Sequence, residues 1–378
     1  MFFNLAQVQV DNFPCHYNLP NKLVLNTDEG WEIYKTTTHT VVIKGYINQS
    51  SLSEIINDLI THDVPVYKGN FCAIVADSEY VKILHDTDRG FPLWVSDVCI
   101  TNLVNPDGSI NGDQHWVDRV ITTNSKLEYS QSFFNPYYKS TQNLTDNELI
   151  DTIHNTICET YEQFLSHNTK PLKLFLSGGI DTTTAWAYLD HFTKNYELVD
   201  YEYIKFTPFW KKNKDALKNY WGYKQIHLWD NDCVLVTGSN GDENFLRGPL
   251  TLAMALKTHG IIFNDILKPT DYHYQYLNKK TKKVYKTIEE VYNTIEDVQD
   301  YILNLNINDH QHWHLGKTIT FTPFKNINLL EIILNSSKDL IVAQARNGFI
   351  NRELIAKMDS CKLTKLSNQK NTIALENL

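Results

Sequence analysis

The chain has 378 residues, of which 42% are hydrophobic and 21% charged, and its formal net charge is −9. This length and apolar content predict two folded domains, or one large one, and exclude wholesale disorder. The acidic balance without a basic block argues against nucleic acid as a partner, and the absence of any run of about 18 apolar residues argues against a membrane span.

The start of the sequence and the cysteines indicate a cellular compartment. The sequence begins Met1-Phe2-Phe3-Asn4, without the basic stretch and apolar run of a signal peptide, so we expect a cytoplasmic protein. The six cysteines are scattered and never form Cys-x-x-Cys. Reduced thiols are therefore expected rather than a disulfide framework or a zinc site.

The first 130 or so residues predict an α+β domain. Residues 41–47 predict a strand, and residues 71–76 and 81–84 predict a hairpin around the polar triplet 77–79. Between them, residues 52–60 carry apolar side chains at helical spacing, which predicts a helix. Residues 130–145 are polar and aromatic without any period, and they are interpreted as a linker.

The second half alternates predicted strands and helices. Thr145 and Glu148 have the spacing of a capping box, which predicts the start of a helix. Strands separated by helices predict a parallel sheet with both faces buried. The predicted strands are 172–176, 201–206 and 233–236, the predicted helices are 182–193 and 214–220, and a helical pattern follows from about residue 285.

A small, glycine-bearing loop follows the first of these strands. Its sequence is Ser177-Gly178-Gly179-Ile180-Asp181-Thr182-Thr183-Thr184. Glycines let a backbone approach an oxyanion closely, and the N-terminus of the next helix offers N–H groups and a positive dipole end to phosphate. Asp181 is itself an anion, so we expect it to hold Mg²⁺ rather than phosphate. The loop matches neither the Walker A pattern nor G-x-G-x-x-G.

A second loop of similar character follows the strand 233–236. It reads Thr237-Gly238-Ser239-Asn240-Gly241-Asp242-Glu243. Strand ends in one parallel sheet share an edge. Asp181 and Asp242 would then form a carboxylate pair that holds Mg²⁺ against a triphosphate. Each loop taken alone remains open to a plainer interpretation, as a strand–turn–helix connection or an Asn-Gly turn.

Together the two loops resemble a known family. The first is similar to the Ser-Gly-Gly-x-Asp-Ser/Thr loop of the PP-loop ATP pyrophosphatase superfamily, and the second narrows the resemblance to the asparagine synthetase family. Further segments similar to that family are Lys44-Gly45-Tyr46-Ile47-Asn48, residues 69–74, residues 86–93, Thr322-Pro323-Phe324 and Ile350-Asn351-Arg352.

The resemblance implies a fold and an activity. It implies a glutaminase-like (Ntn-type) β-sandwich domain over residues 1–135 and a PP-loop parallel-sheet α/β synthetase domain over residues 136–378. It implies an ATP-dependent ligase that adenylates a carboxylate, releases pyrophosphate and AMP, and forms an amide with an amine or ammonia. The substrates would be a small-molecule or peptide carboxylate with an amine donor, and a homo-oligomer stays open.

The resemblance also implies a set of site residues. ATP and Mg²⁺ are the expected ligands, with Asp181 and Asp242 as metal ligands and Arg346 and Arg352 as cations for the leaving pyrophosphate. Gly348 stands near the position of the family's pyrophosphate lysine, so Arg346 is expected to substitute for it. The expected ATP contacts are Leu176, Ser177, Gly178, Gly179, Asp181, Thr182, Thr183, Phe206 and Gly238.

One departure from the family changes the expected chemistry. Glutamine-dependent members carry a nucleophilic cysteine directly after the initiator Met, where this sequence has Phe2. We therefore expect no glutamine hydrolysis, as in β-lactam synthetases and lasso-peptide cyclases. Two alternatives remain: a non-catalytic or nucleotide-binding assembly protein that keeps the fold, and another PP-loop activity such as tRNA thiolation or NAD synthesis.

Overall fold

The computed structural model describes residues 3–11, 13–47, 51–62, 69–85, 93–102, 113–115, 119–133, 144–176, 179–199, 232–239, 241–247, 259–260 and 318–365. These residues form a mixed α/β structure with two antiparallel sheets and one parallel sheet. Within this part of the chain, no helix is long and apolar enough to span a membrane.

The antiparallel sheets belong to the first half and have six strands each. Their orders are β10-β8-β9-β1-β3-β2 and β12-β11-β7-β6-β5-β4. The elements are β1 (Phe3–Ala6), β2 (Cys15–Asn18), β3 (Val24–Thr27), β4 (Glu32–Lys35), β5 (Thr40–Ile47), α1 (Leu52–Thr61), β6 (Gly69–Ala76), β7 (Tyr80–His85), β8 (Leu93–Val95), β9 (Cys99–Thr101), β10 (Asp113–His115), β11 (Arg119–Asn124) and β12 (Tyr129–Phe133).

Side chains on the two faces of the second sheet pack into two separate cores in this half. Val42 of β5 packs in a core with Phe3 and Leu25 of the other sheet. Its neighbour Val41 faces the opposite side and packs in a cluster with Ile55 of α1. Successive side chains of a strand point to opposite faces, so the second sheet is buried between the first sheet and α1.

The structure confirms the predicted hairpin and helix of this half, and it corrects the predicted linker. β6 and β7 pair antiparallel, and α1 begins after a capping box formed by Ser51 and Glu54. β12 (Tyr129–Phe133) overlaps the start of the segment interpreted as a linker, and it pairs with β11 in the register Thr122↔Ser130. The proposed boundary between residues 135 and 136 lies outside the described residues.

The second half is built on a parallel sheet of order β14-β13-β15-β16. The prediction of parallel strands is confirmed for β13 and β15, and the structure adds the short strands β14 and β16. Predicted elements 201–206 and 214–220 lie outside the described residues. The elements are α2 (Asp146–His167), β13 (Leu172–Phe175), α3 (Ile180–Phe192), β14 (Tyr196–Val199), β15 (Val234–Val236), α4 (Gly241–Asn244), β16 (Ile319–Phe321), α5 (Ile327–Leu334), α6 (Lys338–Asn347), α7 (Phe349–Asp359) and a 3₁₀ turn (Ser360–Lys365).

The starts of the helices α2 and α3 and the packing of the sheet fix the local structure of this half. Thr145 caps α2 as predicted, with its backbone N–H donating to Glu148 Oε2 at 2.8 Å. The helix after β13 begins at Ile180, two residues earlier than predicted, so Asp181 lies in the first turn of α3 rather than in the preceding loop. Leu174 and Val236 pack under the helices, and Phe175 and Leu235 form a cluster on the other face of the sheet.

Lys362 of the 3₁₀ turn anchors the C-terminal segment on α3. Its Nζ donates to Asp190 Oδ2 at 2.7 Å and to Asp359 Oδ2 at 2.8 Å, and it lies 4.6 Å from the ring centre of Trp186. Asp190 also accepts from Tyr196 Oη at 2.7 Å. Burial by itself raises the pKa of Asp190, but hydrogen bonds from Lys194, Lys362 and Tyr196 outweigh burial and hold this pKa well below its usual value.

Replacement of Asp190 by Asn is expected to lower the free energy of unfolding by about 1–3 kcal/mol at neutral pH. The folded pKa of Asp190 lies below its unfolded value of about 3.9. Its contribution is thus fully present above that unfolded value and is lost as pH falls through the folded pKa. Urea unfolding of both proteins at pH 7 and pH 3 should show the difference shrinking in acid. A difference that grows in acid would contradict the assignment.

Candidate functional site

Three parallel strands bring their carboxyl ends to one edge of the sheet. Leu174 of β13 pairs with Val236 of β15, which in turn pairs with Phe321 of β16. The backbone N–H of Thr237 then donates to Phe321 O at 3.0 Å. The segments that follow these strands are the two glycine-bearing loops and the Thr322-Pro323-Phe324 segment, so they share this edge.

The second loop docks directly on the first turn of α3, and its glycines provide the space. A Cβ atom at Gly238 would lie 2.4 Å from the backbone nitrogen of Thr182. A Cβ atom at Gly241 would lie 2.5 Å from Cγ of Asp181. Real Cβ contacts are longer than 3.0 Å. A side chain at either position would therefore push the second loop away from α3.

The segment after β16 holds the second loop in place. Thr322 Oγ1 donates to the carbonyl oxygen of Ser239 at 2.5 Å, and the side-chain amide of Asn244 donates to Phe324 O. The rings of Phe245 and Phe324 meet edge to face with centroids 5.2 Å apart. The loop is thus fixed on one side by α3 and on the other by the residues that follow β16.

Asp181 lies at the centre of this contact and is paired with a cation. Its Oδ2 accepts from Arg247 Nη1 at 2.7 Å, and each of the two side chains is 14% exposed. Its Oδ1 accepts from Asn351 Nδ2 at 3.2 Å. The carboxylate is therefore held by Arg247, in the stretch that follows the second loop, and by Asn351 of α7.

Asn351 is in turn oriented by buried partners. Its Nδ2 donates to Thr184 Oγ1 at 3.2 Å, and its Oδ1 accepts from Gln344 Nε2 at 2.6 Å. Gln344 Oε1 accepts from the backbone N–H of Ile350 at 2.7 Å. Both amide side chains are fully buried. A continuous hydrogen-bonded chain thus links α6 and α7 to Asp181 and Arg247.

The contacts of the Asp181 carboxylate do not fit those of a metal ligand. Mg²⁺ needs carboxylate oxygens directed at an open octahedral position. Here Oδ2 is paired with a guanidinium, and Oδ1 faces both the Asn351 amide and the backbone of Gly241. No group of three or more metal-binding side chains occurs in the described ranges. The side chain of Asp242, the second predicted ligand, lies outside the described residues.

The other described residues that were predicted to contact ATP lie at the end of β13 and in the first turn of α3. Leu176 directly follows β13, and its N–H donates to Val199 O at 3.2 Å. The hydroxyls of Thr182 and Thr183 donate to Gly179 O at 3.0 and 2.9 Å, inside the first turn of α3. Their predicted contact with phosphate stays a prediction. Ser177, Gly178 and Phe206 lie outside the described residues.

The two arginines predicted to bind pyrophosphate lie on the C-terminal helices. Arg346 is exposed in the last turn of α6. Arg352 is exposed on α7, and its Nε donates to Asn347 O at 2.7 Å. The neighbour of Arg352 on α7, Asn351, is the residue that donates to Asp181.

Arg247 and Gln344 belong to this arrangement and were missed from the sequence. Arg247 comes four residues after Glu243, in the stretch that follows the second loop. A basic residue so close to a glycine-rich loop with carboxylates was the available signal. Gln344 carries no such signal, because a lone glutamine in a helix is usually solvated.

No family model and no curated protein matches the chain. Among the solved structures that the chain resembles, two are a glutamine amidotransferase and a regulatory enzyme, and both likenesses are weak. A glutamine phosphoribosylpyrophosphate amidotransferase from B. subtilis, in complex with ADP and GMP, has 9% identity, covers 65% of this chain and 71% of its own, and gives a TM-score of 0.24. An allosteric regulatory enzyme of purine biosynthesis has 8% identity, covers 90% and 89%, and gives a TM-score of 0.23. Likenesses at this level carry no argument about activity.

Proposed function

We propose that the chain is an ATP-dependent, AMP-forming amide ligase of the asparagine synthetase type. The observation that carries this proposal is the docking of the second loop on the first turn of α3, at the carboxyl edge of a parallel sheet. Gly238 and Gly241 make that contact, and both leave no room for a side chain. This is the edge where open α/β sheets bind their ligands.

The local chemistry supports a polyphosphate ligand at this edge. The start of α3 is the positive end of a helix dipole, and its N-cap, Gly179, carries no side chain over it, whereas the nitrogen of Thr182 is covered by Gly238. Arg247 adds a positive charge beside this turn. An ATP triphosphate placed here would meet donors and positive charge from two elements.

In the proposed reaction, an oxygen of the substrate carboxylate attacks the α-phosphorus of ATP. The bond from that phosphorus to the bridging oxygen breaks, and pyrophosphate leaves with the electron pair. An amine or ammonia then attacks the acyl-adenylate, AMP leaves, and the amine loses a proton. Positioning and charge stabilisation by the two loops would supply most of the acceleration.

Under this proposal the first half is an Ntn-type, glutaminase-like sandwich that does not hydrolyse glutamine. Two six-stranded antiparallel sheets with a shared apolar core support this interpretation. Tyr46, in a segment similar to the family, connects the halves, with ring centroids 5.1 Å from Phe164 and 5.4 Å from Phe321. The amine would then come from the substrate or from free ammonia.

The test is exchange of labelled pyrophosphate into ATP in the presence of candidate amino acids and dicarboxylates. We expect exchange that depends on one class of carboxylate, with AMP accumulating once an amine is added. Asp181→Asn should lower the exchange rate by about 10-fold or more, because the loop arrangement around it loses its ion pair. Asp151→Asn, at an exposed ion pair with Lys357, is the matched control and should leave exchange unchanged.

A second candidate is a nucleotide-binding protein without turnover. The observation in its favour is that Arg247 and Asn351 hold both oxygens of Asp181. Equilibrium dialysis with labelled ATP separates the two candidates. ATP binding without AMP formation for any carboxylate would favour this candidate, and absence of ATP binding would overturn both.

A further inference from the structure

We propose that a cavity between the two halves of the chain binds a small primary amine with an apolar body, whose ammonium group is held by the carboxylate of Glu32. The cavity has a volume of about 340 Å³. Sites for small molecules occupy about 300–1,000 Å³, so the cavity has the size of a small site of this kind. It lies at the amino ends of β15 and β16, where Val234 and Ile319 begin these strands. The two glycine-bearing loops follow the opposite ends of β13 and β15, so this inference is independent of the proposed function.

Both halves of the chain supply the walls of this cavity. The first half contributes β4, β5 and the start of α1, and the second half contributes the end of α2, residues 168–170 and the starts of β15 and β16. The apolar part of the wall includes four side chains that are buried in the folded chain, Ile43, Ile55, Phe164 and Ile319. Because packing already fixes these side chains, the apolar body of a ligand would be buried against them at little cost in protein conformational entropy.

The charged side chains at the rim of the cavity favour a cationic head group. Glu32 and Lys170 both line the cavity. Lys170 Nζ lies 2.8 Å from Asp232 Oδ1 but 3.9 Å from Glu32 Oε1. Coulomb attraction weakens with distance, so Asp232 is the closer partner of this ammonium. Two carboxylates around one ammonium leave a net negative charge at the rim, and the more loosely paired carboxylate is Glu32.

Tyr34 holds the carboxylate of Glu32 at this rim. The two residues are two positions apart on β4, so their side chains lie on the same face of the strand. Tyr34 Oη donates to Glu32 Oε2. Burial and this carboxylate both raise the pKa of Tyr34, so its hydroxyl stays protonated as a donor. An ionised carboxylate has about four lone-pair sites, so Glu32 can accept from Tyr34 and from a ligand ammonium together.

The experiment measures binding of 1-hexylamine, 1-hexanol and hexanoate to the full chain by calorimetry, at about pH 8, where alkylamines are protonated and histidines are ordinarily neutral. We expect saturable binding of hexylamine, weaker binding of hexanol and no measurable binding of hexanoate, because the three ligands differ only in the head group. Glu32→Gln should bind hexylamine about 5-fold more weakly, the upper range for a partly exposed ion pair. Glu197→Gln is the matched control, because it removes a carboxylate of similar exposure that pairs with Lys173 away from the cavity, and it should bind as wild type. Thr169→Trp should abolish binding, because Thr169 is exposed and lines the cavity, so an indole there would occupy it.

Any of four outcomes overturns the inference. Wild type without saturable hexylamine binding would show that the cavity takes no such ligand, and hexanoate that binds as tightly as hexylamine would contradict the role of charge. Equal affinity of Glu32→Gln and wild type would remove Glu32 from the site, and wild-type affinity in Thr169→Trp would place the amine elsewhere on the chain. If Glu32→Gln fails to fold, Thr169→Trp and the comparison of the three head groups decide. None of these outcomes bears on the ligase proposal, which pyrophosphate exchange tests separately.

Discussion

Replacing Lys44 by Met is expected to lower the free energy of unfolding by about 3–5 kcal/mol, because it leaves a buried carboxylate without its cation. Lys44 Nζ donates to Asp28 Oδ2 at 2.8 Å, and both side chains are fully buried. It also donates to Glu29 O at 2.5 Å, while Trp31 Nε1 donates to Asp28 Oδ1 at 2.8 Å. Urea unfolding monitored by tryptophan fluorescence measures the change.

The double variant Lys44→Met with Asp28→Asn is the control for this pair. Burial lowers the pKa of Lys44, and the negative charge of Asp28 opposes that shift, so the two charges support each other. Removing both is expected to be less destabilising than removing Lys44 alone, because no uncompensated charge stays in the core. A double variant less stable than Lys44→Met would show that shape, rather than charge, makes Lys44 important.

Gly238→Ala is expected to abolish ATP binding and to destabilise the chain by about 3 kcal/mol, the upper end for overpacking a tight contact. The added methyl group would lie 2.4 Å from the backbone nitrogen of Thr182 and 2.6 Å from the carbonyl carbon of Asp181. These are backbone atoms of a helix, so they cannot swing aside as a side chain would. Thermal unfolding and equilibrium dialysis with labelled ATP measure the two effects.

Gly260→Ala is the matched control for the loop glycine. Its φ is +71°, and no atom of the described residues lies within 4 Å of an added Cβ, so the substitution strains the backbone without a collision among them. We expect about 1–2 kcal/mol of destabilisation for the left-handed conformation and unchanged ATP binding. Gly238→Ala with wild-type ATP affinity would mean that the second loop does not need to dock on α3.

Local patterns were sufficient where the chemistry is local. The capping box at Thr145 and Glu148 places the start of α2, because both hydrogen bonds join residues three apart. The apolar runs of β6 and β7 on either side of a polar turn predict their pairing for the same reason. The glycine and carboxylate content of the two loops likewise marks one edge of the parallel sheet.

Elements whose stability comes from distant partners were not predictable in this way. β12 was missed for another reason: its segment shows no hydrophobic period, although its partner β11 ends at Asn124, close along the chain. β16 has only three residues, and it becomes a strand because β15 pairs with it from more than 80 positions away in the chain. Short strands carry little propensity of their own, so tertiary pairing decides them.

The candidate site likewise has features that the local sequence determines and features that depend on distant contacts. By itself the sequence determined the two loops and their glycines, because residue types and spacing after a strand carry that information. Only the tertiary structure decided which groups Asp181 contacts, since Arg247 and Asn351 lie 66 and 170 positions away along the chain. An isolated carboxylate in a loop suggests a metal ligand, whereas in the folded chain this carboxylate lies between a guanidinium and a buried amide. Electrostatics depends on distance in space, and folding alone sets that distance.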